Sequence, residues 1–301
     1  MAEIKGKAKK IIVLSTKGGC GKSTISHYLL PFYFIDKEGR LDYEKEKVNL
    51  TIFELEATNT SRESFYNESC VKYIYDKMDN PDKTKDIFLD VAFDEDSGAI
   101  FDVGGGRDAL LAIQNISTIA DGLDDFVFVF PFNLTVDSFD GAYEMYRKVR
   151  EENEDVKCLF VLNKMTYRYD DSDTPYKMFL DKNDIEAEMA KSKLDFKKIY
   201  QEDIAITYIP EMMEILPSVL FSIEGCCIDY CRDLLKGISA SDLRKEAMSK
   251  AKAGSKNPDK QKENYKIAVQ DILRKRDLYR MMQYSKPFYD AIDVAITSDK
   301  K

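Results

Sequence analysis

The sequence predicts an α/β protein: a mostly parallel twisted sheet with helices on both faces, followed by a basic helical segment. Three observations carry this. Short apolar runs recur with helix-like stretches between them, as strands buried on both faces do. The first run leads directly into a glycine-rich turn and a helix start. The charge is uneven. The chain carries −9 overall, yet Ser241–Lys286 holds thirteen Lys/Arg against six Asp/Glu.

The strand-like runs are Ile11–Leu14, Val48–Leu55, Ala99–Val103, Phe126–Phe130, Cys158–Leu162 and Ala205–Ile209. Right-handed crossovers would place the loops after these strands along one edge, where open α/β sheets bind ligands. Helices are expected from near Ile25, over Arg62–Lys77, Asp137–Glu152, Pro217–Leu235 and Gln261–Tyr284. Pro31 should end or kink the first. Asn80-Pro81-Asp82 reads as a break, Leu41–Glu46 as an excursion before the second strand, and Ala253–Pro258 as a turn. Thr297–Lys301 should fray. Two units are expected: residues 1–240 as the main domain and 241–301 as a C-terminal helical basic extension packed on or appended to it.

A chain of 301 residues is long enough to bury a large core. No apolar run is long enough to span a bilayer, and Met1–Lys5 lacks the apolar centre of a secretory leader, so a cytoplasmic protein is expected. The single histidine, His27, excludes a multi-histidine zinc site and is expected to pack against the sheet. The six cysteines need no disulfides in such a compartment. The cluster Cys226, Cys227 and Cys231 reads as buried thiols on a helix.

Ser15–Thr24 (Ser-Thr-Lys-Gly-Gly-Cys-Gly-Lys-Ser-Thr) is the chemically informative stretch. Its end meets the phosphate-loop pattern Gly-x4-Gly-Lys-Ser, but Thr16 stands where the first glycine belongs. Gly18, Gly19, Cys20 and Gly21 would cradle a polyphosphate with backbone N–H groups, and Thr24 lies at the helix start. Lys22 would reach the β- and γ-phosphates, and the Ser23 hydroxyl would hold Mg²⁺. Asp102, in Ile100–Gly106 (Ile-Phe-Asp-Val-Gly-Gly-Gly), follows an apolar strand and is the second candidate metal residue.

The variant Lys-Gly-Gly-x-Gly-Lys-Ser resembles the deviant Walker A motif of the ParA/MinD family of ATPases. Further segments follow in that family's order. Glu54 and Glu56 stand at its two acidic positions, glutamates for aspartates. Phe130-Pro131-Phe132, Asn163 and Ile209-Pro210 stand at the later strand ends, and the resemblance covers about Lys9 to Gly237. It implies ATP and Mg²⁺ as ligands, with Lys17 reaching the partner's nucleotide in an ATP-bound homodimer. It makes Lys17, Lys22 and Glu56 the catalytic candidates, with Glu56 positioning the attacking water. Asn163 would contact adenine and Pro210 would border the base.

The activity implied is a slow ATPase switch for plasmid or chromosome partition that binds DNA non-specifically in its ATP state. A centromere-binding or other adaptor protein would be its partner, and DNA binding would make it nucleoid-associated. Arg244, Lys245, Lys250, Lys252, Lys256, Lys260, Lys262 and Lys266 could contact phosphates. No separate DNA-reading domain is expected before the loop. The triple glycine after Asp102, and Ala57-Thr58 where the family has Pro-Gln, favour a divergent branch. One alternative is therefore an accessory ATPase of conjugative transfer or plasmid stability acting through a protein. A MinD-like membrane positioner is disfavoured, because Asp290 and Asp293 interrupt the apolar positions near the C-terminal end.

Overall fold

The computed structural model describes residues 10–34, 50–57, 71–94, 97–117, 126–165, 182–195, 205–210, 230–235 and 237–297. Seven parallel strands form one sheet: β1 (Lys10–Val13), β2 (Leu50–Leu55), β3 (Lys72–Asp76), β4 (Gly98–Val103), β5 (Phe126–Phe132), β6 (Lys157–Met165) and β7 (Ala205–Pro210). Their spatial order is β3-β2-β4-β1-β5-β6-β7. All six strand pairings are parallel. The first strand therefore lies mid-sheet between β4 and β5, and its carboxyl end opens onto the loops of its neighbours.

Helices cover both faces, as strands apolar on both sides require. On one side Phe101, Phe126, Phe128, Phe130 and Phe160 pack under α3 (Pro81–Phe93), α4 (Arg107–Ser117), α5 (Val136–Glu152) and α6 (Lys182–Lys191). On the other, Ile11, Val13, Ile100, Val127 and Val129 meet the helical rod that leaves the first loop. That rod runs as α1 (Lys22–Thr24), a π-helical turn (Ile25–Leu29) and α2 (Leu30–Phe34).

Pro31 does not end this rod. The preceding turn is wound wide, with the Leu30 N–H bonding the Ile25 carbonyl. Proline has no N–H for an α-helical bond, and a π turn just before it absorbs the lost ladder bond.

The sequence expectation fails in two places. Lys72–Asp76, the end of the expected Arg62–Lys77 helix, is strand β3, paired to β2 from Thr51↔Lys72 to Leu55↔Asp76. Its Lys-Tyr-Ile-Tyr-Asp sequence alternates and is aromatic and β-branched, as an edge strand favours. Asn80-Pro81 begins a helix: Asn80 Oδ1 accepts the Asp82 and Lys83 N–H groups at 3.1 and 3.3 Å, and Pro81 occupies the first turn. Asn257-Pro258 starts a later helix in the same way.

The C-terminal residues form α7 (Arg232–Leu235), α8 (Ala240–Ala253), α9 (Pro258–Tyr284) and α10 (Lys286–Thr297). Phe288 and Ile292 of α10 are fully buried in the core shared with β1 and the rod. The Tyr33 hydroxyl donates to Asp293 at 2.8 Å, and the Tyr289 hydroxyl to the Leu29 carbonyl at 3.2 Å. By contrast α8 and the first half of α9 form an antiparallel hairpin in which only Ala251 and, at its base, Ile272 are buried. Residues 1–9, 41–46, 48–49, 58–70, 217–229 and 298–301 of the expectations above lie outside the described residues. They include Cys70, Cys226 and Cys227.

Candidate functional site

The loop after β1 is built from close approaches. Leu14 N–H bonds the Val129 carbonyl, and Ile25 N–H bonds the Gly21 carbonyl at 2.9 Å. Gly21, with φ +99°, is the residue before α1 and makes no side-chain cap, leaving the first helical N–H groups without one. A Cβ here would lie 2.1 Å from Asn163 Nδ2. Only glycine satisfies both the left-handed backbone and this contact.

Thr16 also has a physical account. Its hydroxyl faces Gly141 inside α5, where a Cβ would stand 2.2 Å away. The side chain that replaces the expected loop glycine is accommodated by a glycine on the opposing helix. Gly105, from the turn after β4, approaches the Thr16 carbonyl from another side, 3.1 Å from where a Cβ would stand.

Lys22 extends back over the loop, its Nζ donating to the Lys17 carbonyl at 3.2 Å. The buried Cys20 thiol donates to the same carbonyl. Asp102 stands opposite Val13 of β1, and the helix start bearing Ser23 lies against β4, so the two expected metal residues are neighbours. Asp102 is buried, and its Oδ2 lies 3.0 Å from His27 Nε2. Burial alone would raise the Asp102 carboxyl. The His27 hydrogen bond and charge, then Lys22, then the Ser23 hydroxyl outweigh it and hold the carboxyl below its ordinary value.

Among the described residues no group of three or more His, Cys, Asp or Glu is arranged to hold a metal. The Ser23–Asp102 pair still fits Mg²⁺. Hydroxyl and carboxylate are hard oxygen donors, and this ion keeps water and phosphate oxygens for its remaining positions.

The loop after β2 lies alongside. Glu56 is half-buried; its carbonyl accepts the Tyr75 hydroxyl at 2.9 Å, and its Cγ stands 3.1 Å from the Cβ position of Gly104. Asp108, in the first turn of α4, accepts the Ala57 N–H at 3.0 Å and so ties this loop to the one after Asp102. Glu54 is buried in β2, in register with Asp102.

Asn163 sits where β6 slips register against β7, an irregularity that re-aims side chains. Its Nδ2 donates to the Cys20 carbonyl at 2.8 Å, so it braces the loop. Asn133, after β5, donates to the Gly19 carbonyl at 3.3 Å, and its buried Oδ1 has no hydrogen-bond partner among the described residues. Lys17 Nζ is 3.3 Å from Asp137 at the start of α5, and both side chains are exposed. Gly18 and Gly19 are exposed and Thr24 is half-buried. Pro210 ends β7, and its side chain lies outside the described residues.

Five contributors were not anticipated from sequence: the bonding of His27 to Asp102, Asp108, Asn133, Asp137 and Gly141. Two of them carried a signal. Gly141 is a glycine in the middle of a helix, where it costs about 1 kcal/mol relative to alanine and needs a packing reason. Asp108 is an acid two residues past a glycine turn, a first-turn position.

The fold and loop together define a parallel α/β protein consistent with a P-loop NTPase. No family model matches the chain, and no curated protein matches it. Among solved structures, one titled "Structure of Cyanthece apo McdA" aligns with it at 10% identity and a TM-score of 0.42, over 87% of this chain and 99% of that one. A likeness at that score carries no inference about activity. Among the described residues, no helix is long and apolar enough to cross a membrane.

Proposed function

We propose that this chain is a Mg-ATP-dependent switch of the ParA/MinD kind, hydrolysing ATP slowly and closing a homodimer around it. The observation that carries the reading is the placement of Lys22 and Ser23, at the helix start after β1, against β4 and its buried Asp102, which stands opposite Val13. In this reading the loop N–H groups and Lys22 bind the phosphates. Ser23 and Asp102 would hold Mg²⁺, which would supply neutralisation of phosphate charge. Glu56 orients the attacking water, and Asn163 and Pro210 border the base. Among the described residues the Lys17 ammonium meets one exposed ion-pair partner, Asp137, worth between zero and about 1 kcal/mol, and can leave it for a partner's nucleotide. The Asp108–Ala57 clasp lets the Glu56 and Asp102 loops move together on hydrolysis.

The α8–α9 hairpin supports an anionic partner, read here as the backbone of non-specific DNA. Arg244, Lys252, Lys256, Lys260, Lys262 and Lys266 make no ion pair among the described residues. An adaptor protein would stimulate turnover, and partition is the process served.

The decisive experiment is titration of the purified protein with ATP and Mg²⁺, followed by sedimentation with ATP and with ADP. Binding with ATP-specific dimerisation that Lys17→Ala removes is expected. No uptake of any adenine nucleotide would overturn the reading.

A further inference from the structure

The only histidine of the chain is placed with unusual care. It lies in the π-helical turn that follows the loop, not in ordinary α-helix. π turns inside helices are frequent at functional sites. The extra residue of such a turn rotates the following face by about 100°. Here Pro31 makes the wide turn sustainable, because it removes an N–H that α-helical winding would use.

The ring is 1% exposed, and Nε2 stands 3.0 Å from Asp102 Oδ2. Its ring centroid lies 6.0 Å from that of Tyr73 on β3, which limits how it can turn. Asp102 lies beside Ser23 at the helix start after the loop, and its register neighbour on β2 is a second buried carboxylate, Glu54. A carboxylate with one oxygen fixed by a buried ring presents its other oxygen in a defined direction. Left unfixed beside another acid, it would be free to turn toward water or the backbone. The general loop pattern includes no histidine at this place, so nothing in the phosphate loop itself explains the residue.

We infer that His27 is a positioning residue of the metal site, fixing the Asp102 carboxylate so that it and the Ser23 hydroxyl present one oriented pair of oxygens to nucleotide-bound Mg²⁺. This rests on the nucleotide reading above and adds to it the group that orients the metal-side carboxylate. Outer partners of metal ligands act in this way, fixing orientation without touching the ion.

The test reads binding and not turnover. ADP affinity is measured calorimetrically with Mg²⁺ and with EDTA, for the parent, His27→Leu, His27→Gln, Asp102→Asn and the Leu/Asn double variant. The gain in affinity on adding Mg²⁺ should fall about 10-fold or more in His27→Leu, as removal of an outer partner does. Affinity in EDTA should stay within about threefold, since the phosphate cradle is untouched. His27→Gln, which keeps an N–H donor, should restore most of the gain. The double variant should be no worse than Asp102→Asn alone, because the two residues act through one carboxylate.

A parental Mg²⁺ gain in His27→Leu, equal losses with and without Mg²⁺, or additive losses in the double variant would overturn the inference while leaving the nucleotide reading standing. A parent that binds no ADP at all would overturn both. Should His27→Leu fail to melt cooperatively, His27→Asn, whose amide is too short to reach the carboxylate, is read in its place. Loss of fold in both counts against a metal-specific role.

Discussion

The loop after β1 and the α8–α9 hairpin use side chains in opposite ways. At the loop, single atoms at fixed distances decide the structure: Asn163 Nδ2 against Gly21, Thr16 against Gly141, His27 against Asp102. Along the hairpin, 14-residue α8 and the start of 27-residue α9 bury almost nothing. They carry cations whose partners, where present, are exposed neighbours three or four residues away, such as Lys245–Asp242 and Lys250–Glu246. The first region should be intolerant of any one change. The second should respond only to the sum of its charges.

That contrast can be broken at several points. Lys22→Ala should reduce ATP turnover by about 100-fold or more, because one preorganised cation at the transferring phosphate is lost. Steady-state phosphate release measures it, and near-parental turnover would mean that the loop is not where ATP reacts. Gly141→Ala should destabilise the protein by about 1–3 kcal/mol, since the new methyl meets Thr16, even though alanine favours the helix by about 1 kcal/mol. Adding Thr16→Gly should recover the loss, and thermal melts of the two single variants and the double one decide it.

At the hairpin, Lys252, Lys256, Lys260 and Lys262 changed together to Ala should lower the slope of log K against log salt for duplex DNA by about 0.9 per lost phosphate contact. Each alone should alter folding stability by less than about 0.5 kcal/mol. An unchanged slope in the fourfold variant would separate the hairpin from any nucleic-acid role. Smallest of all, Asp137→Ala should change the melting free energy by less than about 1 kcal/mol, the usual range for an exposed pair. A larger loss would mean that Lys17 is anchored and not available to a partner.

The same contrast explains what the sequence disclosed. The strand–glycine turn–helix signal is local, and so were Lys22, Ser23 and the strand end at Asp102. The alternating sheet could be read because buried parallel strands are short and apolar. Pairings across long separations could not. His27 meets Asp102 across 75 positions and Asn163 meets Cys20 across 143, and no local pattern encodes either. Val71, Ile74 and Tyr75 fit helical spacing, yet Ile74 and Tyr75 lie in a strand, which only pairing to β2 settles. Asn80-Pro81 reads as an interruption in sequence, although Asx followed by Pro is also how a helix begins.

The seating of α10 has a practical consequence. Phe288 and Ile292 complete the interior beside the rod that leaves the phosphate loop, and Tyr33 and Tyr289 clamp the two together. Anyone wishing to strip the chain of its basic arm cannot truncate ahead of Lys286 without also uncovering the support of the helix that follows the β1 loop. Excision of the arm from within, rejoining the flanks with a short linker, leaves that keystone in place.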